Sequence, residues 1–300
     1  MSDAARSKSF AEWGGHTPGV GAARRQEFRR SVGWLNLFCL DAPLVAVSWS
    51  WLIAQSFGIQ VGVAGLGGLF LTAWLIYLAD RLVDSRSLPP GGGTLSLRQR
   101  FCRRHPLLWI AGIVLLLLAQ LGVLRVLDLP TLRAGAALAS VALLYLLINQ
   151  TAQFIWRIVP AKELTIGFVF AGGVMVPLAT SLTSEVFLAW LLFGCLCSLN
   201  CICIAVWERE LDVAQQRVSI ATALPGVAAR LPLMVGAIAL MSSAAALLSL
   251  RGAAVYEGIA VSSLLLGALH LCGERVQRDH RTALADLALL LPAALLLLVR

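Results

Sequence analysis

Two short stretches carry the side chains best suited to chemistry. Asp80-Arg81-Leu82-Val83-Asp84 and Glu208-Arg209-Glu210-Leu211-Asp212 share one form: an acid, an Arg, two further residues and an Asp. Each closes a long apolar run. Helical residues four apart lie on one face, about 6 Å apart along the axis, so each stretch presents two carboxylates together. Like charges at that spacing destabilise a bare helix, and a divalent cation between them relieves the repulsion. Mg²⁺ suits the arrangement, because it binds through one or two carboxylates plus phosphate oxygens and keeps several waters. Two other readings compete. Such acids can form a cation or proton pathway in a transporter, or each Asp can pair with its neighbouring Arg in a solvated loop. The occurrence of two matched copies favours metal and a diphosphate, with Arg81, Arg209 or Lys162 adding positive charge.

The elements that must position these acids are membrane helices. The 300 residues are 59% hydrophobic and 13% charged, with a mean hydropathy of +0.82. A soluble globule carries roughly 25% charged residues. Nine apolar runs approach the roughly 20 residues that span a bilayer: 34–56, 59–79, 106–124, 131–149, 164–182, 186–206, 229–249, 254–272 and 284–299. With the N-terminus in the cytoplasm, all but Arg125, Arg133, Arg251 and Arg300 of the 24 Lys and Arg residues fall on the inner side. The sequence therefore predicts an all-α integral membrane bundle of nine transmembrane helices, N-terminus cytoplasmic and C-terminus outside. Both acidic stretches then face the cytoplasm. Residues 1–33 read as a basic, flexible cytoplasmic segment without a secretory signal, and 34–300 as a single transmembrane domain.

The net charge of +8 lies in short loops beside spans, where topology and anionic headgroups account for it. No nucleic-acid partner is expected. Cys195, Cys197, Cys201 and Cys203 cluster in the sixth run without partner histidines, which reads as small apolar packing rather than a zinc site. Asp41, followed by Pro43, reads as a helix start, with a cavity-lining role as the other reading. Lys162 is a topology marker, a salt-bridge partner of Glu163 or a phosphate contact. The Pro89-Pro90-Gly91-Gly92-Gly93 stretch is a slack connector or a lid. His280, alone in a loop, reads as solvated.

The layout of runs, with Asp80-x-x-x-Asp84 after the second and Glu208-x-x-x-Asp212 after the sixth, resembles the UbiA superfamily of intramembrane prenyltransferases over nearly the whole chain. The resemblance implies that Asp80, Asp84, Glu208 and Asp212 bind Mg²⁺-diphosphate, with the isoprenoid tail in an apolar cavity between helices. Lys162 falls where the family often has a basic residue after its fourth span. Two positions depart from the family pattern: Ile76 stands where its first motif has Asn, and Glu208 where its second has Asp. The implied activity is Mg²⁺-dependent transfer of an isoprenyl group from its diphosphate to an aromatic or lipid acceptor. The expected setting is a bacterial inner (plasma) membrane, among membrane lipids, with the active site facing the cytoplasm. The alternatives are a catalytically silent relative that binds an isoprenoid or another lipid, and a cation-coupled transporter.

Overall fold

The computed structural model describes residues 35–87, 97–273, 276 and 278–299. Two features anticipated above lie outside them: the 1–33 segment and the Pro89–Gly93 stretch.

The regular elements among the described residues are all helices, and no strand is present among them. In hydrocarbon each backbone N–H and C=O needs an internal partner, which a helix provides from its own chain. In order, the helices are α1 (Asp41–Phe57), α2 (Val63–Ser87), α3 (Leu97–Arg104), α4 (Pro106–Leu124), α5 (Leu129–Thr151), α6 (Phe154–Ile158) and α7 (Lys162–Met175). They continue as α8 (Ser184–Trp207), α9 (Arg209–Ala214), α10 (Ile220–Ala223), α11 (Val227–Leu248), α12 (Ala253–Leu271) and α13 (Arg278–Val299). Six of them, α2, α4, α5, α8, α11 and α12, are long and apolar enough to cross a membrane. The remaining apolar runs carry the 17-residue α1, the 14-residue α7 and the 22-residue α13. Helix α7 is short because Pro177 has no N–H to continue the ladder, and a 3₁₀ turn at Val176–Leu178 follows it.

The exposed surface of these helices identifies the solvent. On α4 and α5, Leu107, Leu115, Leu118, Leu143 and Leu147 point outward from the bundle. Water would not tolerate so continuous an apolar face, whereas lipid requires one. This is an all-α membrane protein. Helix α8 is its hub: 61% of its most apolar stretch is buried, against 11% for α4 and α5.

Close packing around α8 explains its small residues. Gly167 of α7 lies against the Ser198 backbone, and Gly194 against the Phe168 ring. Small residues at such crossings let helix backbones approach where lipid offers no hydrophobic drive for association. Trp49 of α1, fully buried, stacks on Phe193 of α8 at 4.6 Å between centroids. Its indole N–H donates to Leu289 O of α13 at 2.9 Å, so one side chain ties three helices.

Candidate active site

Helix α2 runs on to Ser87, so the first acidic stretch is helical as the sequence predicts. Asp80 and Asp84 therefore sit one turn apart, and both line a cavity of about 190 Å³ at one end of the bundle. The other walls come from the last turn of α5 (Asn149, Gln150), from Gln153, from Lys162 at the start of α7, and from Gln215, Gln216, Arg217 and Val218 after α9.

The second stretch is built differently. Helix α8 ends at Trp207, and Glu208 is a non-helical junction residue (φ −98°, ψ 9°) between it and α9. The pair nonetheless keeps its one-turn spacing, because Asp212 N donates to Glu208 O at 2.9 Å across the junction. Thr282 Oγ of α13 donates to Glu208 Oε1 at 3.1 Å, which draws that carboxylate toward α13. Glu208 and Asp212 are not among the residues lining the cavity. Asp212 still lies within electrostatic reach of Lys162 and Arg217, both of which line it. The same two cations, with Arg81, act on Asp80. The two acidic stretches thus share their positive neighbours.

The basic residue that joins the stretches is Arg217, whose role sequence reasoning missed. Its guanidinium Nη1 lies 2.7 Å from Asp84 Oδ2, with both side chains mostly buried. The backbone explains how it gets there. Gln216 adopts a left-handed conformation (φ 55°), costly for a residue with a Cβ. The turn lets Arg217 N donate to Asp212 O at 2.8 Å and sends the side chain back toward α2. The only signal in the sequence was a polar Gln-Gln-Arg run shortly after the second stretch. Asn149, Gln150 and Gln153 were likewise invisible as site residues, because polar side chains at a helix end are ordinary.

Of the basic residues expected at the site, Lys162 lines the cavity and donates to Val218 O at 3.3 Å. It does not turn to Glu163, as the ion-pair reading anticipated. Glu163 is 4% exposed, and its Oε1 accepts from Ile220 N at 2.9 Å, fastening α7 to the start of α10. Arg209 is exposed and donates from Nε to Ala221 O at 3.1 Å, bracing the α9–α10 segment outside the cavity. Arg81 borders the site electrostatically but is not among the cavity's lining residues. Asp41 is the first residue of α1, with Leu40 at the cap position, so the cap that the Asp-Ala-Pro pattern suggested is displaced by one residue. Asp41 accepts from Asn36 Nδ2 at 2.7 Å and from Ala42 N at 3.0 Å. Above the site, Gln99 of α3 and Gln215 exchange amide hydrogen bonds of 3.2 and 3.5 Å. The clustered cysteines of α8 are free thiols.

Among the described residues no three His, Cys, Asp or Glu side chains converge as a ready-made metal cage. The donor set fits Mg²⁺ in its usual protein setting, where one or two carboxylates hold it and phosphate oxygens and water complete the sphere. Asp80 and Asp84 supply such a pair.

Burial pushes the Asp212 carboxyl up to about 6, against the pull of Ser219, Lys162 and Arg217, while the Glu208 charge adds to the rise. The unfolded chain releases this proton near pH 3.8. Between those values the folded state binds more protons, so stability is lost as pH rises through that window. In metal-free buffer, the stability of wild type relative to Asp212→Asn is expected to fall between about pH 4 and pH 6. Denaturation of the two proteins across that range checks it; a parallel pH dependence would exclude Asp212 as the cause.

Comparison of the chain with protein-family models, with curated proteins and with solved structures finds no match.

Proposed function

We propose that this protein transfers an isoprenyl group from its diphosphate to an acceptor within the membrane, in a Mg²⁺-dependent reaction. The supporting observation is a cavity lined by Asp80, Asp84 and Lys162, in which Arg217, five residues past Asp212, pairs with Asp84. The resemblance to the UbiA superfamily points the same way. In this reading all nine apolar runs cross a bacterial inner membrane, with the N-terminus and the cavity on the cytoplasmic side and the C-terminus outside.

The residues divide the work. Asp80 and Asp84 would hold the metal, and Asp212 would act on the site through the cations Lys162 and Arg217 that it shares with Asp80. When bound, Mg²⁺ supplies neutralisation of the negative charge that develops on the departing diphosphate. Lys162 and Arg217 pair with diphosphate oxygens, and Arg81 and Arg209 add to the positive field at longer range. Arg217 leaves Asp84 as it does so, exchanging one carboxylate for phosphate oxygens. The lipid-facing helices keep water from the carbocation-like carbon.

One observation favours the silent, lipid-binding alternative: Glu208 is engaged by Thr282 rather than aimed into the cavity. That alternative predicts isoprenoid binding without diphosphate release. The test is titration of the detergent-purified protein with farnesyl and geranylgeranyl diphosphates, with and without Mg²⁺, alongside assay of diphosphate release with a membrane extract as acceptor source. Binding by wild type should require Mg²⁺, and this Mg²⁺-dependent binding should be lost in Asp80→Ala and Asp212→Ala. Binding that ignores both metal and substitutions would overturn the diphosphate site.

A further inference from the structure

The charges that line the cavity are balanced before any metal or diphosphate arrives. Among the described residues they are Asp80, Asp84, Lys162 and Arg217, two acids and two bases. Arg217 and Asp84 neutralise each other at 2.7 Å. Asp80 and Lys162 are left over. The Asp80 carboxylate has no hydrogen-bond or ion-pair partner among the described residues. Lys162 directs one of its three N–H groups to Val218 O at 3.3 Å and has no acidic partner among them. Both side chains are partly exposed, and both border the same space.

The plain alternative is that Asp80 and Lys162 serve each other. They do act on one another through space, yet the structure does not close them into a pair. Arg81, the other cation beside Asp80, hydrogen-bonds to Cys39 instead. The resting cavity therefore offers one open carboxylate and one open ammonium. An anion alone leaves Asp80 unmatched, and a cation alone leaves Lys162 unmatched. A ligand that carries both signs satisfies the two together.

Size, lining and place narrow that ligand. At about 190 Å³ the cavity is smaller than the roughly 300–1,000 Å³ of sites for drug-sized molecules, so it takes a small polar group. No aromatic ring lines it among the described residues. A quaternary ammonium, whose usual partner is an aromatic cage, is therefore disfavoured. A primary ammonium instead donates N–H bonds, and a carboxylate such as Asp80 is its strong acceptor. The carboxamides of Gln150, Gln153, Gln215 and Gln216 add neutral donors and acceptors to the walls. The cavity lies at an end of the membrane bundle, the level at which a bilayer places its phosphates.

We propose that the cavity, while free of metal and diphosphate, binds a phosphoethanolamine group, with the ammonium on Asp80 and the phosphate on Lys162. The group belongs either to a phosphatidylethanolamine of the surrounding bilayer or to a soluble glycerophosphodiester. Arg217 stays on Asp84 in this state, whereas the diphosphate reading requires it to leave. The two occupants exclude each other, and the headgroup keeps the carboxylates from metal. This inference rests on the cavity's charges and not on the transfer reading.

The experiment uses glycerophosphoethanolamine and glycerophosphocholine, which share a phosphate and a net charge and differ in N–H donors. Each is titrated calorimetrically, without metal, into the protein in maltoside detergent. Wild type is expected to bind the ethanolamine compound at least about 10-fold tighter. Asp80→Ala should bring that ratio close to one, and Lys162→Met should weaken both compounds alike. Asp84→Asn, which frees Arg217 for the phosphate, should tighten both and leave the ratio unchanged. A ratio near one in wild type, or a preference that survives Asp80→Ala, overturns the proposal. Should Asp80→Ala fail to fold, Asp80→Asn keeps the shape without the charge; there too the ratio should fall, and an unchanged ratio overturns the proposal. Repeating the titration in nanodiscs separates the two sources. Phosphatidylethanolamine in place of phosphatidylcholine in the bilayer should weaken binding of the soluble compound where the lipid itself is the occupant, and leave it unaltered where the free diester is. The same preparations are titrated with Mg²⁺ and geranyl diphosphate. Headgroup selectivity without metal-dependent diphosphate binding would sink the transfer reading and leave this site standing. Diphosphate binding without headgroup selectivity would do the reverse.

Discussion

If the proposed reaction is the protein's own, Asp80→Asn is expected to lower prenyl transfer by about 10²–10³-fold, the loss typical when a preorganised electrostatic group is removed from a site of charge development. Asp84→Asn should cost less, about 10-fold. The difference follows from their partners. Asp84 is already matched by Arg217 at 2.7 Å, so neutralising Asp84 frees a guanidinium to face the diphosphate and compensates in part for the lost metal ligand. Asp80 lines the same cavity amid the fields of Arg81, Lys162 and Arg217. Removing its charge leaves three cations there with one carboxylate fewer, which favours bare anion binding and disfavours the metal. Diphosphate affinity measured without Mg²⁺ should therefore rise in Asp80→Asn while turnover collapses. Equal losses in the two variants would show that Asp84 and Asp80 act as one symmetric pair.

Gly167→Ala is expected to destabilise the fold by about 3 kcal/mol, at the upper end for overpacking. A Cβ at Gly167 would lie 2.6 Å from Ser198 Cα and meet that residue's backbone N and Oγ as well. Backbone atoms of a buried helix cannot yield as a side chain can, so α7 and α8 must separate. That separation would break the Ser198 Oγ bond to Leu164 O, which already spans 3.4 Å. It would also shift Lys162, at the first turn of α7, away from Val218. Gly172→Ala on the same helix provides the contrast. Its nearest neighbour is Leu138 Cδ1 at 3.0 Å, a flexible group that can rotate aside, and the expected cost is below about 1 kcal/mol. Thermal unfolding of both variants in detergent checks the ranking.

Much of the architecture could be read from the apolar runs, because lipid forces each to be helical and α-helix periodicity carries on into Asp80 and Asp84. Two limits were physical. Proline at position 177 halts α7 at Met175, where hydropathy alone continues to residue 182. The junction at Glu208 was also hidden: the Glu208–Asp212 spacing matches the first stretch and survives, and what differs is a tertiary contact with Thr282, seventy-four residues away. Arg217 was out of reach for a third reason. Its approach to Asp84, 133 residues distant, depends on a left-handed residue at Gln216, and glutamine gives no warning of that conformation as glycine would. Glu163 was also hard to place. One of the open readings of Lys162 paired the two, yet the place of Glu163 is set by the Ile220 N–H at the start of α10, and helix starts of so short a segment are hard to foresee.

The reciprocal bonds between Gln99 and Gln215 join α3 to the loop that carries Arg217. Carboxamides neither titrate nor carry net charge, so this link is indifferent to acidity and ionic strength. The Arg217–Asp84 contact beneath it is not. As salt rises, the ionic contact weakens while the neutral link above it persists. The roof of the site then keeps its position as the bolt beneath it slides, and access to the carboxylates becomes a matter of one arginine side chain rather than of the whole loop.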